Sequence, residues 1–304
     1  MKRNIAIVTW WENWEREISL KSAKTIFNHL DKELNHVTIF NIPSEYWKFI
    51  EAKRNFDLVI PVIHGIWGEN WEITRVCEEH NIPVFFTTTN SHELCIDKYL
   101  CTLYLKNKWI TVPETSIIEL NNATYNLPKN EKVFIKPVHW GSSLDSWICS
   151  SQEETTILIS KITTYDQALV QEYITGQEFT VSLVWDWDWI IDVYAISEII
   201  TWESFFDYEA KYNLKNTQEI TPAKISWILE KTIKDLSIDI YRHCKLTCLA
   251  RIDFIYNKEK DILYFLEVNT IPWFTETSFF PQAIQHRWFS ISAFLENMIE
   301  KICI

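Results

Sequence analysis

Three residues with side-chain oxygen atoms and one arginine lie close together near the end of the chain. Arg251 and Asp253 belong to one apolar segment, Glu267 and Asn269 belong to the next, and a polar turn at 257–261 separates the two. This pattern is typical of an antiparallel hairpin. Because side chains alternate faces along a strand, each pair shares one face, and the three oxygen ligands can converge. Such ligands suit Mg²⁺, although a half-exposed hairpin with charges on its solvent side would show the same pattern.

The composition excludes several classes of partner. The chain has 304 residues, enough for about two domains, and a net charge of −12 from 41 acidic and 29 basic residues. This balance argues against a nucleic-acid or anionic-membrane surface. No apolar run approaches the roughly 20 residues of a membrane span, and the first residues resemble a strand rather than a cleaved signal. The seven cysteines are scattered without a C-x-x-C pair, which predicts a reduced cytoplasmic protein without a structural disulfide or zinc site.

The N-terminal third alternates short apolar runs with helical patterns, which predicts an open α/β domain with a mostly parallel sheet. The predicted strands are residues 4–9, 37–40, 58–63 and 84–86. The first predicted helix carries apolar residues from Ile18 to Leu34. Ligands of such sheets collect beyond the carboxyl ends of the strands, where Glu15 and His64 lie. For His64, a structural histidine with satisfied hydrogen bonds is the alternative.

The middle of the chain contains a candidate phosphate-binding loop, H-W-G-S-S at 139–143, whose small residues let backbone N–H groups approach oxyanions. Lys136, just before it, supplies positive charge. A helix is predicted at 98–106, and strands are predicted at 115–118, 133–137, 168–174, 179–184 and 190–199. Thr221 and Pro222 are predicted to begin the next helix as its N-cap and first residue, and further helices follow from Pro281.

Five segments in order along the chain resemble one family. They are E-R-E-I-S-L at 15–20, H-G-I-W-G-E-N at 64–70, K-P-V-H-W-G-S-S at 136–143, F-D-Y-E-A-K-Y at 206–212, and R-I-D-F with L-E-V-N-T-I-P within 251–272. Together they are similar to the D-alanine–D-alanine ligase family of ATP-grasp enzymes. The resemblance implies an α/β substrate-binding domain at 1–92, a central ATP-grasp subdomain at 93–178, and a C-terminal ATP-grasp subdomain at 179–304 that carries a lid loop and the metal site.

The resemblance also implies an activity and a set of site residues. The activity is ligation of two D-alanine molecules through an acyl phosphate for peptidoglycan synthesis, with ATP and two Mg²⁺ or Mn²⁺ ions, in a cytoplasmic homodimer. The implied catalytic residues are Glu15, Ser142, Tyr212, Arg251 and the backbone N–H of Trp273. The implied nucleotide-binding residues are Lys98, Lys136, Glu172, Tyr173, Ile174, Glu178 and Lys211. Glu15, His64 and Ser278 bind the amino-acid substrates in this resemblance, and Asp253, Glu267 and Asn269 bind the metal ions.

The tryptophan content is abnormal. The chain has 16 Trp and only 4 Gly, whereas glycine ordinarily makes up roughly 7% of residues. Trp185, Trp187 and Trp189 alternate with aspartates between two strand-like runs, where glycines would form an ordinary hairpin turn. Other tryptophans stand where the family tends to have glycine or another small residue: Trp10, Trp11, Trp14, Trp71, Trp140 and Trp273. We hypothesise that many of these codons are UGA, translated here as Trp although the source organism inserts Gly.

Two alternative functions follow from these departures. If Trp140 and Trp273 are indoles in the mature protein, they crowd the phosphate loop and the oxyanion position, and a catalytically silent ATP-binding relative is the alternative. The other alternative is an ATP-grasp ligase that uses another amino-acid substrate. Binding of ATP without turnover would favour the first alternative, and a screen of amino acids for phosphate release would identify the second.

Overall fold

The computed structural model describes most of the chain as three β-sheets with flanking helices. The described residues are 2–10, 16–64, 72–122, 124–129, 131–141, 144–186, 190–201 and 217–303.

The N-terminal region contains a parallel sheet in the strand order β2-β1-β3. Its elements are β1 (Arg3–Trp10), α1 (Arg16–His29), β2 (Asn35–Ile42), α2 (Tyr46–Ala52), β3 (Leu58–Val62), α3 (Glu72–Glu79) and α4 (Thr89–Ile96). Six consecutive residues of β1 and all five of β3 are buried, because helices cover both faces of a parallel sheet. The parallel sheet was predicted, and the prediction is confirmed.

Two details of this region differ from the prediction. The strand predicted at 84–86 is reduced to one bridge between Val84 and Val59. The first helix ends at His29, so Leu34 lies in the following turn and is 49% exposed. Leu34 therefore does not extend the apolar face of α1, although its spacing from Leu30 suggested it.

The central region forms a four-stranded antiparallel sheet in the order β4-β7-β5-β6. Its elements are α5 (Lys98–Lys106), β4 (Thr115–Ile118), β5 (Val133–Pro137), β6 (Trp147–Cys149), α6 (Gln152–Ile162) and β7 (Ala168–Glu172). Helix α5 begins where Asp97 caps it, since the aspartate carboxylate accepts a hydrogen bond of 2.8 Å from the N–H of Leu100. This cap fixes Lys98 at the first turn of the helix.

The C-terminal region forms a five-stranded antiparallel sheet in the order β10-β9-β8-β11-β12. Its elements are β8 (Gln177–Asp186), β9 (Ile190–Thr201), β10 (Thr217–Ile220), α7 (Trp227–His243), β11 (Leu249–Asn257), β12 (Ile262–Asn269), α8 (Phe279–His286) and α9 (Ile291–Ile302). The hairpin inferred from Arg251, Asp253, Glu267 and Asn269 is β11 with β12.

The predicted start of the helix after β10 is wrong. Helix α7 begins at Trp227 with Ser226 as its N-cap, and the Ser226 hydroxyl accepts a hydrogen bond of 3.3 Å from the N–H of Leu229. The N–H of Ala223 instead donates to the carbonyl of Ile196 at 2.7 Å, which holds the Thr221–Pro222 segment beside β9. Tertiary hydrogen bonding therefore overrides the local Thr-Pro signal.

One core cluster joins the parallel sheet to the C-terminal helices. It includes Ile7 and Leu58 from the sheet, Phe274 from the segment after β12, and Phe294 from α9, all at most 3% exposed. Packing across these elements anchors the chain that follows the hairpin. Among the described helices, none is long and apolar enough to cross a membrane.

Candidate active site

The β11–β12 register sets the geometry of the site. Asp253 lies directly opposite Glu267, and Arg251 lies directly opposite Asn269. Opposite residues of an antiparallel pair project to the same face, so the four side chains share one side of the hairpin. All four line a cavity of about 400 Å³, which is a size typical of ligand sites.

Arg251 forms a two-pronged ion pair with Asp253. The Nε of Arg251 donates to Oδ1 of Asp253 at 3.0 Å, and Nη2 donates to Oδ2 at 2.9 Å. Thr180, opposite Asp253 on β8, also donates its hydroxyl hydrogen to Oδ1. Bidentate pairs of this kind fix orientation as well as charge, so Asp253 and the guanidinium are both held in defined positions.

Two buried lysines face the hairpin from the central region. Lys136, the next-to-last residue of β5, donates from Nζ to Oε2 of Glu267 at 3.1 Å. Lys98 donates from Nζ to the carbonyls of Val138 at 3.2 Å and Trp140 at 2.9 Å, which lie at the entrance to the glycine-containing loop. Both lysines are at most 8% exposed and line the cavity. Buried ammonium groups beside a glycine-containing loop are suited to a phosphate ligand.

His139 connects this loop to the start of α5. Its Nδ1 lies 2.8 Å from Oδ1 of Asp166, its backbone N–H donates to Oδ2 of the same carboxylate at 2.8 Å, and its Nε2 lies 3.6 Å from Oδ2 of Asp97. The hydrogen bond with Asp166, reinforced by the one with Asp97, raises the pKa of His139 to about 9. The imidazole is therefore charged at neutral pH and holds the loop against the cap of α5.

The donor set on the hairpin fits a divalent cation. Asp253 and Glu267 supply carboxylate oxygens, and Asn269 supplies an amide oxygen that accepts a hydrogen bond from the N–H of Ile271 at 3.2 Å. Three hard oxygen donors form a partial shell, as Mg²⁺ prefers when water and phosphate oxygens complete it. Arg251 and Lys136 offset part of the negative charge of the two carboxylates.

The residues assigned to nucleotide binding are only partly brought together. Glu178 lines the cavity from β8, opposite Ile255. Glu172, Tyr173 and Ile174 lie at the end of β7 and are not among the described residues that line the cavity. Glu172 pairs with the backbone of Glu114, and Ile174 is buried against Ile255 and Tyr264.

Of the residues assigned to substrate binding, only some line the cavity in the described part of the chain. Ser278, the N-cap of α8, lines the cavity, and its Oγ lies 2.6 Å from Oγ1 of Thr275. His64 is 1% exposed, its backbone N–H donates to Ser19 at 3.1 Å, and its Nε2 lies 3.3 Å from the Ser22 hydroxyl. Burial lowers the pKa of His64 to about 3, so the ring is neutral at pH 7. His64 is not among the described residues that line the cavity, and its assignment to substrate binding stays a prediction.

Ser22 gives His64 an indirect link to the site. Its hydroxyl also accepts a hydrogen bond of 3.1 Å from the N–H of Phe274, which follows Trp273. The rings of His64 and Trp273 contact edge to face at a centroid distance of 6.4 Å. Trp273 and Trp140 both line the cavity, so the two indoles that the sequence singled out do occupy the site.

Four predicted site residues lie outside the described part of the chain. They are Glu15, Ser142, Lys211 and Tyr212.

Several of the described lining residues were not predicted from the sequence, and Glu219 is the acidic one among them. Glu219, on β10, contributes to the cavity wall and accepts a hydrogen bond from the side-chain amide of Gln282 at 3.0 Å. Burial raises the pKa of Glu219. Glu219 is a charged residue on the short strand β10, but nothing local in the sequence distinguishes it from a solvated glutamate.

Three cysteines meet elsewhere in the core. The sulfur atoms of Cys95, Cys101 and Cys244 lie within 4.8 Å of one another, and all three residues are buried. They belong to a cluster of apolar side chains that includes Leu105 and Ile240. Hydrogen bonds among the thiols together with burial raise the pKa of Cys95, whereas hydrogen bonds from Cys101 and Cys95 lower the pKa of Cys244 to about 5. The cluster is thus a hydrogen-bonded group of buried cysteine side chains inside the apolar core.

Comparisons with known proteins agree with this geometry. A family model described as D-ala D-ala ligase C-terminus matches residues 103–300. The chain is 30% identical to a D-alanine–D-alanine ligase of Thermotoga petrophila, with 91% of this chain and 90% of the relative covered. Its fold matches the D-alanine–D-alanine ligase of Bacillus anthracis complexed with ATP, with a TM-score of 0.84, 20% identity, and 99% and 97% of the two chains covered. It also matches the VanG D-Ala:D-Ser ligase of Enterococcus faecalis, with a TM-score of 0.83, 26% identity and 100% of both chains covered. These matches confirm the predicted fold class.

Proposed function

The chain belongs to the D-alanine–D-alanine ligase family, and from this premise we propose how its site works. The activity is ATP-dependent ligation of two D-alanine molecules to D-alanyl-D-alanine, the dipeptide used in peptidoglycan synthesis. One observation supports placing it here: Arg251 and the two carboxylates of the hairpin face Lys136 across a single cavity. Acyl activation by ATP requires this combination of anionic metal donors and phosphate-binding cations.

Lys98 and Lys136 bind the ATP phosphates in this proposal. Both ammonium groups are buried, so a phosphate oxygen beside them is poorly screened by water and is held strongly. Glu178 accepts a hydrogen bond from the ribose. We assign adenine binding to the backbone of residues 172–174, as the family resemblance implies, although these residues are not among the described lining of the cavity. Lys211 completes the phosphate contacts from a segment outside the described residues.

Asp253, Glu267 and Asn269 would hold Mg²⁺ or Mn²⁺, and we propose two ions. When bound, such ions neutralise phosphate charge and orient the transferring phosphoryl group.

The first step makes a carboxylate reactive. An oxygen of the first D-alanine attacks the terminal phosphorus of ATP, ADP leaves with the electrons of the broken bond, and an acyl phosphate forms. Glu15 holds the ammonium group of this substrate, and Tyr212 with Ser142 closes the site over it. Exclusion of water matters at this stage because an exposed acyl phosphate hydrolyses.

The second step forms the peptide bond. The amine of the second D-alanine attacks the acyl carbon, and the resulting oxyanion is stabilised by Arg251 and the backbone N–H of residue 273. Phosphate then leaves with the electrons of the C–O bond. Ser278 holds the carboxylate of the second substrate, and its place at the N-terminus of α8 favours an anion there. Glu219 lines the cavity together with Arg251 and Ser278, and in this proposal it accepts the proton of the attacking amine. Burial raises the pKa of its carboxyl group, which strengthens it as a base.

The experiment that tests this function is ADP release with D-alanine as the sole amino acid, in the presence of ATP and Mg²⁺. We expect ADP and D-alanyl-D-alanine in equal amounts, and no dipeptide with L-alanine. If ADP were released with D-alanine and D-serine together but not with D-alanine alone, the second substrate would be D-serine rather than D-alanine. ATP binding without turnover would instead support a catalytically silent relative.

We further propose that the enzyme acts in the cytoplasm as a homodimer. ATP and free D-alanine are cytoplasmic metabolites in this scheme, and the resemblance supports the dimer. Light scattering after size-exclusion chromatography measures the oligomeric state. A mass of 36.3 kDa, which is that of one chain, would contradict the homodimer.

A further inference from the structure

Two helices end with a tryptophan in a backbone conformation that suits glycine. Helix α5 is followed by Trp109 with φ 66°, and helix α8 is followed by Trp288 with φ 63°. In this left-handed region the Cβ of an L-residue crowds its own backbone, and glycine avoids the crowding because it has no Cβ. A bulky residue with such a φ is a genuine outlier.

The hydrogen bonds show that both turns are Schellman motifs. After α5, the N–H of Trp109 donates to the carbonyl of Lys106 at 3.1 Å, and the next N–H donates to Leu105 at 3.1 Å. After α8, the N–H of Trp288 donates to Gln285 at 2.9 Å, and the next N–H donates to Ile284 at 3.2 Å. These are the paired bonds of a helix that ends in a left-handed residue, and glycine is the usual residue at that position.

The same motif occurs twice more with residues that tolerate it better. Asn81 after α3 has φ 55° and donates to Glu78, and Lys245 after α7 has φ 52° and donates to Arg242. Asparagine is the recognised alternative to glycine in this position, and lysine has no branched or aromatic Cβ substituent. The motif itself is therefore a regular feature of this fold, and the tryptophans are the unusual part.

The two indoles also gain nothing from packing. Trp109 and Trp288 are each 96% exposed. Tryptophan is on average a highly buried residue, because its large apolar surface is stabilised in a core. The other tryptophans classed as exposed are Trp47, Trp147 and Trp227. Among the tryptophans whose side chains the structure describes, Trp10 is the one that is buried.

We propose that the source organism reads UGA as glycine, so that residues 109 and 288 of the native protein are glycine, and so are residues 140 and 273 in the catalytic cavity. The first pair follows from backbone geometry and the deficit of glycine, with 4 in 304 residues. The second pair deepens the proposed function and rests on it. Removing these two indoles enlarges the cavity beside Lys98 and beside the N–H of residue 273, where phosphate and oxyanion are to bind.

Mass spectrometry of peptides from the protein isolated from its source cells tests the proposal directly. We expect glycine at 109, 288, 140 and 273. Tryptophan at 109 or 288 would overturn the proposal, and tryptophan at 140 or 273 would overturn its extension to the cavity. Peptide masses do not depend on activity, so a failure of the ligase assignment cannot be mistaken for a failure here.

Recombinant variants test the physical argument independently. W109G and W288G should each raise the midpoint of thermal unfolding by roughly 2 °C, because a strained left-handed residue is relieved. The matched control is W47G: Trp47 is also exposed, at 73%, but lies within helix α2, where glycine is unfavourable and should lower the midpoint. Lowered midpoints for W109G and W288G, like that of the control, would overturn the argument from strain.

Discussion

The Nζ of Lys136 lies 3.1 Å from Oε2 of Glu267, although the two residues are 131 positions apart and belong to different sheets. Lys136 is on β5 of the four-stranded sheet, and Glu267 is on β12 of the five-stranded sheet. The pair is partly shielded from solvent, with side chains 9% and 30% exposed. The cavity is therefore built between the two sheets, and this ion pair joins the wall proposed to bind phosphate to the wall proposed to bind the metal ions.

Replacing Glu267 by Gln should raise the Mg²⁺ concentration needed for half-maximal ADP release. Glutamine keeps the shape but removes the anionic donor, and loss even of a residue that only supports a ligand costs roughly 10- to 100-fold in metal affinity. We expect a rise of at least about 10-fold, measured by titrating Mg²⁺ at saturating ATP. The matched control is E259Q, an exposed glutamate in the turn of the same hairpin, which should leave the titration unchanged. If the two variants required equal Mg²⁺ concentrations, Glu267 would not be a metal ligand.

Replacing Arg251 by Ala should lower kcat by roughly two to three orders of magnitude, since loss of one oxyanion donor typically costs that much. Substitution by Lys should recover part of the loss, because it restores a charge but not the two-pronged contact with Asp253. Single-turnover rates measured beside the unfolding midpoint separate catalysis from folding. A folded R251A enzyme with a near-normal rate would disprove the assigned role.

The hairpin could be predicted from sequence because its signal is local. Because side chains alternate in direction along a strand, Arg251 shares a face with Asp253, and Glu267 shares a face with Asn269. The polar turn between the two strands sets their register. The approach of Lys136 could not be derived this way, since it depends on how two sheets pack. The contacts of Glu219 and His139 could not be predicted for the same reason: their partners Gln282 and Asp166 are 63 and 27 residues away. The start of α7 was predicted wrongly because the backbone of 223 bonds to β9 rather than to a helix.

Replacing Glu219 by Gln should lower kcat for dipeptide formation by roughly 100-fold or more, which is the usual range for loss of a general base. ATP binding should be little changed, because Glu219 is assigned to the second substrate. The pH profile of kcat discriminates a base from a packing residue: the decline at low pH should be lost in E219Q and kept in E219D. A decrease in stability with an unaltered pH profile would contradict the assignment.

The stability of the protein should fall at alkaline pH because of His139. Its pKa is raised to about 9 from an ordinary value near 6.5, so its contribution is fully present below pH 6.5 and is lost as pH rises through 9. The side chain is 37% exposed and solvent screens it, so we expect a loss of about 1 kcal/mol rather than the full linkage value. Urea unfolding at pH 7 and pH 10 measures the difference. H139Q should be less stable at pH 7 and should show a smaller decrease; an equal decrease in both proteins would argue against a charged His139.

Gly176 and Gly141 differ in the space available for a side chain. A Cβ at Gly176 would lie 2.3 Å from the carbonyl oxygen of Tyr256, whereas a Cβ at Gly141 would meet no atom of the described residues within 4 Å. Because the obstacle at Gly176 is backbone, G176A should destabilise the protein by about 1 to 3 kcal/mol, while G141A should not be destabilising through a clash. Gly176 directly precedes β8, so displacement of that strand also moves Glu178, and the KM for ATP should rise in G176A. Urea unfolding and ATP titration of both variants check the two effects, and equal stability of G176A and wild type would show that β8 can shift without cost.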